Sequence, residues 1–204
     1  MIQGVGEVQG RKTILIGLSF DNLRKFLAEP GDTHIRLRGT DMGLPFDVLI
    51  FSGETEMLDR TGNLEQFETR GLTGAYEQYI LELEKLISRG HIDCLAHLDL
   101  VKIHGLRPHD YDPVKFFLPV LQLAKNGGLA IEASTAGWRK PVDEQYPHAS
   151  ILKAAVELNI PITTASDAHS YAQVAADYDR LREVLESAGV TATAKFRSHK
   201  WKAA

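Results

Sequence analysis

The 204 residues contain a single cysteine, Cys94, so no disulfide can form within the chain. That cysteine lies in the apolar run IDCLAHLDL, where a thiol packs as a small buried side chain; a catalytic thiol is the minor alternative. Long hydrophobic runs are missing. No stretch approaches the roughly 20 apolar residues that cross a bilayer, and the opening MIQGVGEVQGRK lacks the basic-then-apolar order of a secretory signal. A membrane partner is therefore not expected, and the expected compartment is the cytoplasm. Positive charge is also short. With 23 Lys and Arg against 27 Asp and Glu, the net charge is -4 and the pI near 6.1, which argues against the broad cationic face of a nucleic-acid binder. No nucleic acid is expected as a partner, and an anionic substrate must be gripped by a few local groups. There is no Gly-x-Gly-x-x-Gly loop and no Walker-type lysine loop, so nucleotide binding through either device is disfavoured.

What is present is an ordinary globular balance, 44% hydrophobic and 25% charged, enough to bury a core. From residue 73 onward, helical and strand patterns alternate with short polar or Gly-bearing breaks, the pattern of a parallel α/β architecture. Tyr76, Ile80, Leu83 and Ile87 recur at helical spacing and stop at Arg89-Gly90. Strand IDCLAHLDL follows. A helix begins at Asp112-Pro113 and runs to Asn126-Gly127-Gly128, with Pro119 expected to kink or split it. Strand LAIEAST, helix HASILKAAVELN and strand PITTASDAH come next. The last helix carries Val174, Tyr178, Leu181, Leu185 and Ala188 on one stripe and ends at Gly189; a short strand, TATAKF, closes the order. The basic segment KFRSHKWK is expected to be a solvated tail. In residues 1–72, Thr13 to Phe20 and Phe46 to Phe51 read as strands and Asn22 to Ala28 as a short helix.

Periodicity alone fits a TIM-like barrel or a doubly wound sheet. Polar residues discriminate between them. His97 and Asp99, Glu132 to Thr135, and Ser166 to His169 all fall at the C-terminal ends of expected strands, which in a barrel share one catalytic rim. Asp167 and His169 are two apart, so on an extended strand both side chains meet one cation, and carboxylate with imidazole suits zinc, manganese or iron. The alternative is that Asp167 caps the next helix and His169 is a loop residue. His97 is either a third ligand from another strand or a core histidine, with Asp99 placed to orient it. Arg139 and Lys140 follow the Glu132 strand by a loop; they are phosphate-binding candidates or an ordinary exposed basic pair.

Four ordered segments, AHLDLVK at 96–102, IEASTAGWRK at 131–140, Tyr146-Pro147 and SDAH at 166–169, resemble successive motifs of the PHP (polymerase and histidinol phosphatase) family, of the histidinol-phosphate phosphatase type. The resemblance covers roughly residues 73 to 190. It implies a distorted TIM-like (β/α)7 barrel, one to three divalent ions (Zn, Mn or Fe) at its strand ends, metal ligation and catalysis by His97, Asp167 and His169, and a substrate phosphate held by Arg139 with Lys140. The implied reaction is hydrolysis of a small phosphate monoester, L-histidinol phosphate first, in histidine biosynthesis. Another phosphoesterase activity of the family, or a degenerate module with little or no turnover, is the alternative.

The family's usual N-terminal His-x-His pair has no match, His34 being the only histidine before His91. Glu54, in Ser52-Gly53-Glu54, is a substitute oxygen ligand or a solvated turn residue. Residues 1–204 thus read as a single PHP-like domain. Residues 1–72 are its diverged or truncated part, 73–190 its well-matched part, and 191–204 a terminal strand and basic tail. Three to five side chains hold one ion well, so fewer metals and slower turnover than in a full cluster are expected. An incomplete barrel edge leaves backbone groups unpaired, which favours a homo-oligomer.

Overall fold

The structure, a computed structural model, describes residues 5–8, 11–14, 50–52, 64–89, 92–197 and 200–203. The expected helix at 22–28, His34 and Glu54 lie outside the described residues. At the centre is a four-stranded sheet in the order β3 (Ile50–Ser52), β4 (Cys94–Ala96), β5 (Ala130–Ser134), β6 (Ile162–Ala165). All three pairings are parallel. Two antiparallel ribbons flank it in sequence, β1 (Val5–Val8) with β2 (Arg11–Ile14), and β7 (Ala194–Arg197) with β8 (Lys200–Ala203). The basic segment expected to be a tail thus forms most of both strands of the second ribbon.

Sequential strand order requires each crossover to return to the next position; helices α1 (Leu64–Arg89), α2 (Pro113–Gly127) and α3 (Ala149–Glu157) lie on the three crossovers, α4 (Tyr178–Ala188) follows β6, and the four pack in chain order. The sheet's two faces differ in kind. Leu95, Ile131, Ala133 and Ile162 join Tyr76, Leu83, Phe117, Leu121 and Leu152 in the main core. The alternate positions, Cys94, Ala96, Glu132 and Ser134, are small or polar and equally buried. The described strands form an open sheet, and barrel closure is a finer statement than they make.

Helix boundaries follow local chemistry. Asp112 caps α2 by accepting from the Val114 and Lys115 amides at 3.0 and 3.1 Å, and Gly128 ends it at φ 66°. Pro119 does not split α2: it sits on the exposed side, where water can satisfy the carbonyl it leaves unbonded. Helix α1 begins at Leu64, ahead of the alternating pattern read from residue 73 onward, and is interrupted at Gly71 (φ 69°, ψ 171°). Helix α4 starts only at Tyr178, because Ala175 and Asp177 take left-handed backbone angles; Val174 is left outside the stripe and exposed.

Two phenols on α1 fix the chain that leaves β4. Tyr79 donates to the Leu98 carbonyl at 3.0 Å and Tyr76 to the Leu106 carbonyl at 2.8 Å. On the far side, the 3₁₀ turn Ala136–Arg139 packs so tightly on the segment 144–146 that a Cβ at Gly137 would lie 1.9 Å from the Glu144 carbonyl oxygen. Gly137→Ala should therefore force the two backbones apart and cost about 1–3 kcal/mol, the range for overpacking. Thermal denaturation reads this as a clear drop in Tm, and an unchanged Tm would contradict the close approach.

Candidate metal site at the strand ends

Strand β4 ends at Ala96 and His97 follows at once with φ 33°, an uncommon angle for a residue with a side chain. Its imidazole is largely buried, and Nδ1 has no hydrogen-bond partner among the described residues. Strand β6 ends at Ala165, earlier than the sequence pattern indicated. Asp167 (φ 46°) and His169 are therefore loop residues, not two positions of one extended strand. The loop nevertheless brings them together. Asp167 Oδ2 lies 3.9 Å from His97 Nε2, and its Oδ1 lies 4.0 Å from His169 Nδ1.

His169 is more than half exposed, and its tautomer is set by its own turn. Nδ1 sits 2.9 Å from the Asp167 carbonyl, an acceptor only, so Nδ1 carries a proton, and in the neutral ring the lone pair is on Nε2. Gln173 accepts from the His169 amide at 2.7 Å and Ser166 Oγ from the Ala175 amide at 3.2 Å, which closes the loop on itself. Between the two histidines, on β5, Glu132 is buried with Oε1 unpartnered. Burial raises its carboxyl above the usual range, helped by Asp167 and opposed by His97, whose ring charge and backbone N–H both favour the anion.

Arg139, at the end of the 3₁₀ turn after β5, is bound to backbone and hydroxyl oxygens. Nη1 donates to Thr135 O and Oγ1 at 3.4 and 3.3 Å; Nη2 donates to the Ser166 carbonyl and, at 3.4 Å, to that of Asp167. No carboxylate pairs with it among the described residues. Lys140 is exposed beside it.

Asp99 does not orient His97. Its Oδ2 takes the Lys102 ammonium at 2.9 Å and the His148 amide at 2.8 Å. Lys102, fully buried, also reaches Glu144 Oε2 at 3.1 Å and the Gln145 carbonyl at 2.9 Å, while Arg107 Nη2 pairs with Glu144 Oε1 at 2.7 Å. Burial alone would raise the Glu144 carboxyl, but Arg107 and Lys102 outweigh it and hold it low. The Lys102 ammonium lies 5.4 Å from the centroid of the Tyr146 ring, whose edge meets His97 at a centroid distance of 6.3 Å. This network had a faint sequence signal: Asp99 and Lys102 stand one 3₁₀ turn apart in an otherwise apolar run.

The residues fit a divalent cation in part. Two ligands that each sit about 2.1 Å from one ion are separated by about 3–4 Å, which is the His97–Asp167 spacing. The unpartnered oxygen of Glu132 is a buried acceptor that such a charge would satisfy, whereas the His97 nitrogen without a partner is Nδ1, on the other side of the ring from the Nε2 that faces Asp167. Among the described residues, no group of three or more His, Cys, Asp or Glu side chains is already gathered to hold an ion.

No protein-family model matches the chain. Over 133 residues it is 38% identical to the protein named Probable histidinol-phosphatase of Deinococcus radiodurans, a match that takes in 65% of this chain and 50% of that one. The likeness is to histidinol-phosphatases. The chain spans about half the length of the curated relative it matches. Its fold superposes on the histidinol phosphate phosphatase of Lactococcus lactis subsp. lactis Il1403 at a TM-score of 0.59, with 18% identity, over 83% of this chain and 68% of that one. That protein was crystallised with zinc, L-histidinol and phosphate. No helix among the described residues is long and apolar enough to cross a membrane.

Glu132 gives the site a pH signature in the absence of metal. A carboxyl raised on folding stabilises the protein below its unfolded pKa, and that contribution is lost as pH rises through the folded value. Glu132→Gln should therefore be more stable than the parent at neutral pH in metal-free buffer. The gap should shrink to nothing below the ordinary carboxylate range. Melting curves from acid to neutral pH that show a constant gap would contradict this.

Proposed function

We propose that this chain is a metal-dependent phosphate monoester hydrolase of the PHP type, a distorted (β/α)7 barrel in a single domain, working in the cytoplasm on L-histidinol phosphate. The observation that carries the reading is the meeting of His97 and Asp167 at 3.9 Å, just past the ends of β4 and β6, beside Glu132 buried in the strand between them. The name of the Deinococcus relative and the ligands held by the Lactococcus protein support the choice of substrate.

His97 Nε2 and the Asp167 carboxylate hold the ion, and His169 offers the Nε2 lone pair that its bond to the Asp167 carbonyl keeps free. Glu132 adds negative charge from below, and Glu54 is a further candidate ligand. A bound zinc, manganese or iron supplies Lewis acidity and brings the pKa of its water toward neutrality. Arg139 and Lys140 bring positive charge to the same rim, where the phosphate dianion docks. Water adds to phosphorus and the bond to the alcohol oxygen breaks, giving L-histidinol and inorganic phosphate. One to three ions are accommodated, and the edges that β3 and β6 leave unpaired among the described strands favour self-association.

A second reading is a PHP module of low turnover, or one acting on a different phosphate ester; the lack of a gathered three-ligand group among the described residues favours it. Elemental analysis and a phosphate-release assay decide between them. We expect at least one zinc, manganese or iron per chain, and release from L-histidinol phosphate that EDTA abolishes and metal restores. Asp167→Asn should lower kcat/KM by more than the roughly 10–100-fold that loss of an outer partner costs. Turnover indifferent to chelator would contradict the metal-dependent reading, and tight metal without turnover would favour the module.

A further inference from the structure

We infer that Arg139 is a positioning residue, one that holds Asp167 and His169 in their ligating geometry through the carbonyl oxygens of the β6 loop. The inference rests on the metal-dependent reading of the site and goes beyond the charge that Arg139 brings to a substrate. The guanidinium spans two strand ends. On one side both acceptors belong to Thr135, the residue directly after β5; on the other they are the carbonyls of Ser166 and Asp167, the first residues after Ala165 in β6.

The Asp167 carbonyl is the pivot. It accepts from Arg139 Nη2 at 3.4 Å and from His169 Nδ1 at 2.9 Å, so one atom ties the arginine to the tautomer of the histidine. Asp167 needs such support because its left-handed φ of 46° is costly for an aspartate unless its surroundings over-determine it. Thr135, fully buried, gives the guanidinium a fixed base. A planar fork of donors can bridge two chains in this way, whereas a lysine ammonium, a single point, cannot hold both.

The test uses the full-length protein, Arg139→Lys and Arg139→Gln, with two readouts. The first is affinity for zinc and for manganese, measured by competition with a chromogenic chelator. Both variants should bind at least about tenfold more weakly than the parent, the usual loss when an outer partner of a metal ligand is removed. The inhibition constant of inorganic phosphate, measured at saturating metal, should change less than the metal affinity does. The second readout needs no metal: ring ¹⁵N shifts of His169 in the metal-free protein, above the ordinary imidazole range. The parent should show the Nδ1-protonated tautomer, and the variants should revert toward the mixture of an unconstrained side chain.

Parental metal affinity together with an unchanged His169 tautomer would overturn the positioning role. So would a change confined to phosphate inhibition, which would make Arg139 a substrate contact only. If the parent itself bound no ion, the proposed hydrolase function would fail, and the ring shifts would still judge the role of Arg139. Circular dichroism of each variant separates these effects from loss of fold.

Discussion

Parallel pairing of β4, β5 and β6 is the constraint on which the rest of the site depends. Neighbouring strands lie about 4.8 Å apart, so residues leaving the same end of three adjacent strands begin within about 10 Å of one another whatever their distance in sequence. His97 and Asp167 follow the ends of β4 and β6 and Glu132 lies inside β5 between them, 35 residues apart at each step (132 - 97 and 167 - 132), yet the sheet gathers all three. The face of the sheet that carries Glu132 has only small or polar companions, which leaves room for a charge. The other face is committed to the helices and supplies the apolar burial that keeps the strands in register.

Once the strands are paired, what remains is to hold two strained loops. His97 and Asp167 both have positive φ, and each is braced by a cation. Behind His97 the brace is Lys102, fully buried among Asp99, Glu144 and the Gln145 carbonyl; behind Asp167 it is Arg139 among carbonyls. The two differ in what their loss would do. Removing Lys102 leaves the buried Asp99 carboxylate without its cation, a change that typically costs about 3–5 kcal/mol and threatens the fold, while Glu144 keeps Arg107. Arg139 neutralises no carboxylate among the described residues, so its loss falls mainly on the loop that it holds. The Tyr146 ring lies near both Lys102 and His97, and it belongs to the segment 144–146 that packs closely on the turn containing Gly137.

The order of elements from residue 73 onward was legible in the sequence because hydrophobic periodicity and capping residues are local signals. Asp112-Pro113, Gly128 and Gly189 mark ends that the structure keeps. Less legible was anything decided by tertiary contact. Pro119 passes through α2 because its side of the helix faces solvent, a fact about packing. Val174 has the right spacing for α4 and is excluded by backbone angles at Ala175 and Asp177. At the site, the residue types at strand ends pointed to His97, Asp167 and His169. The sequence suggested that Asp99 served His97, whereas a buried lysine three residues on claims it. The pattern also placed Asp167 and His169 on a strand; they meet through a turn braced by Arg139, Ser166 and Gln173, whose bonds no spacing rule reveals.

The central claim is that one divalent ion is held between His97 and Asp167, with His169 closing on it. Crystals grown with zinc, with diffraction data collected on either side of the zinc absorption edge, test this most directly. The account predicts an anomalous peak within about 2.0–2.2 Å of His97 Nε2 and of an Asp167 carboxylate oxygen. A peak elsewhere in the chain, or no peak at saturating zinc, would contradict it.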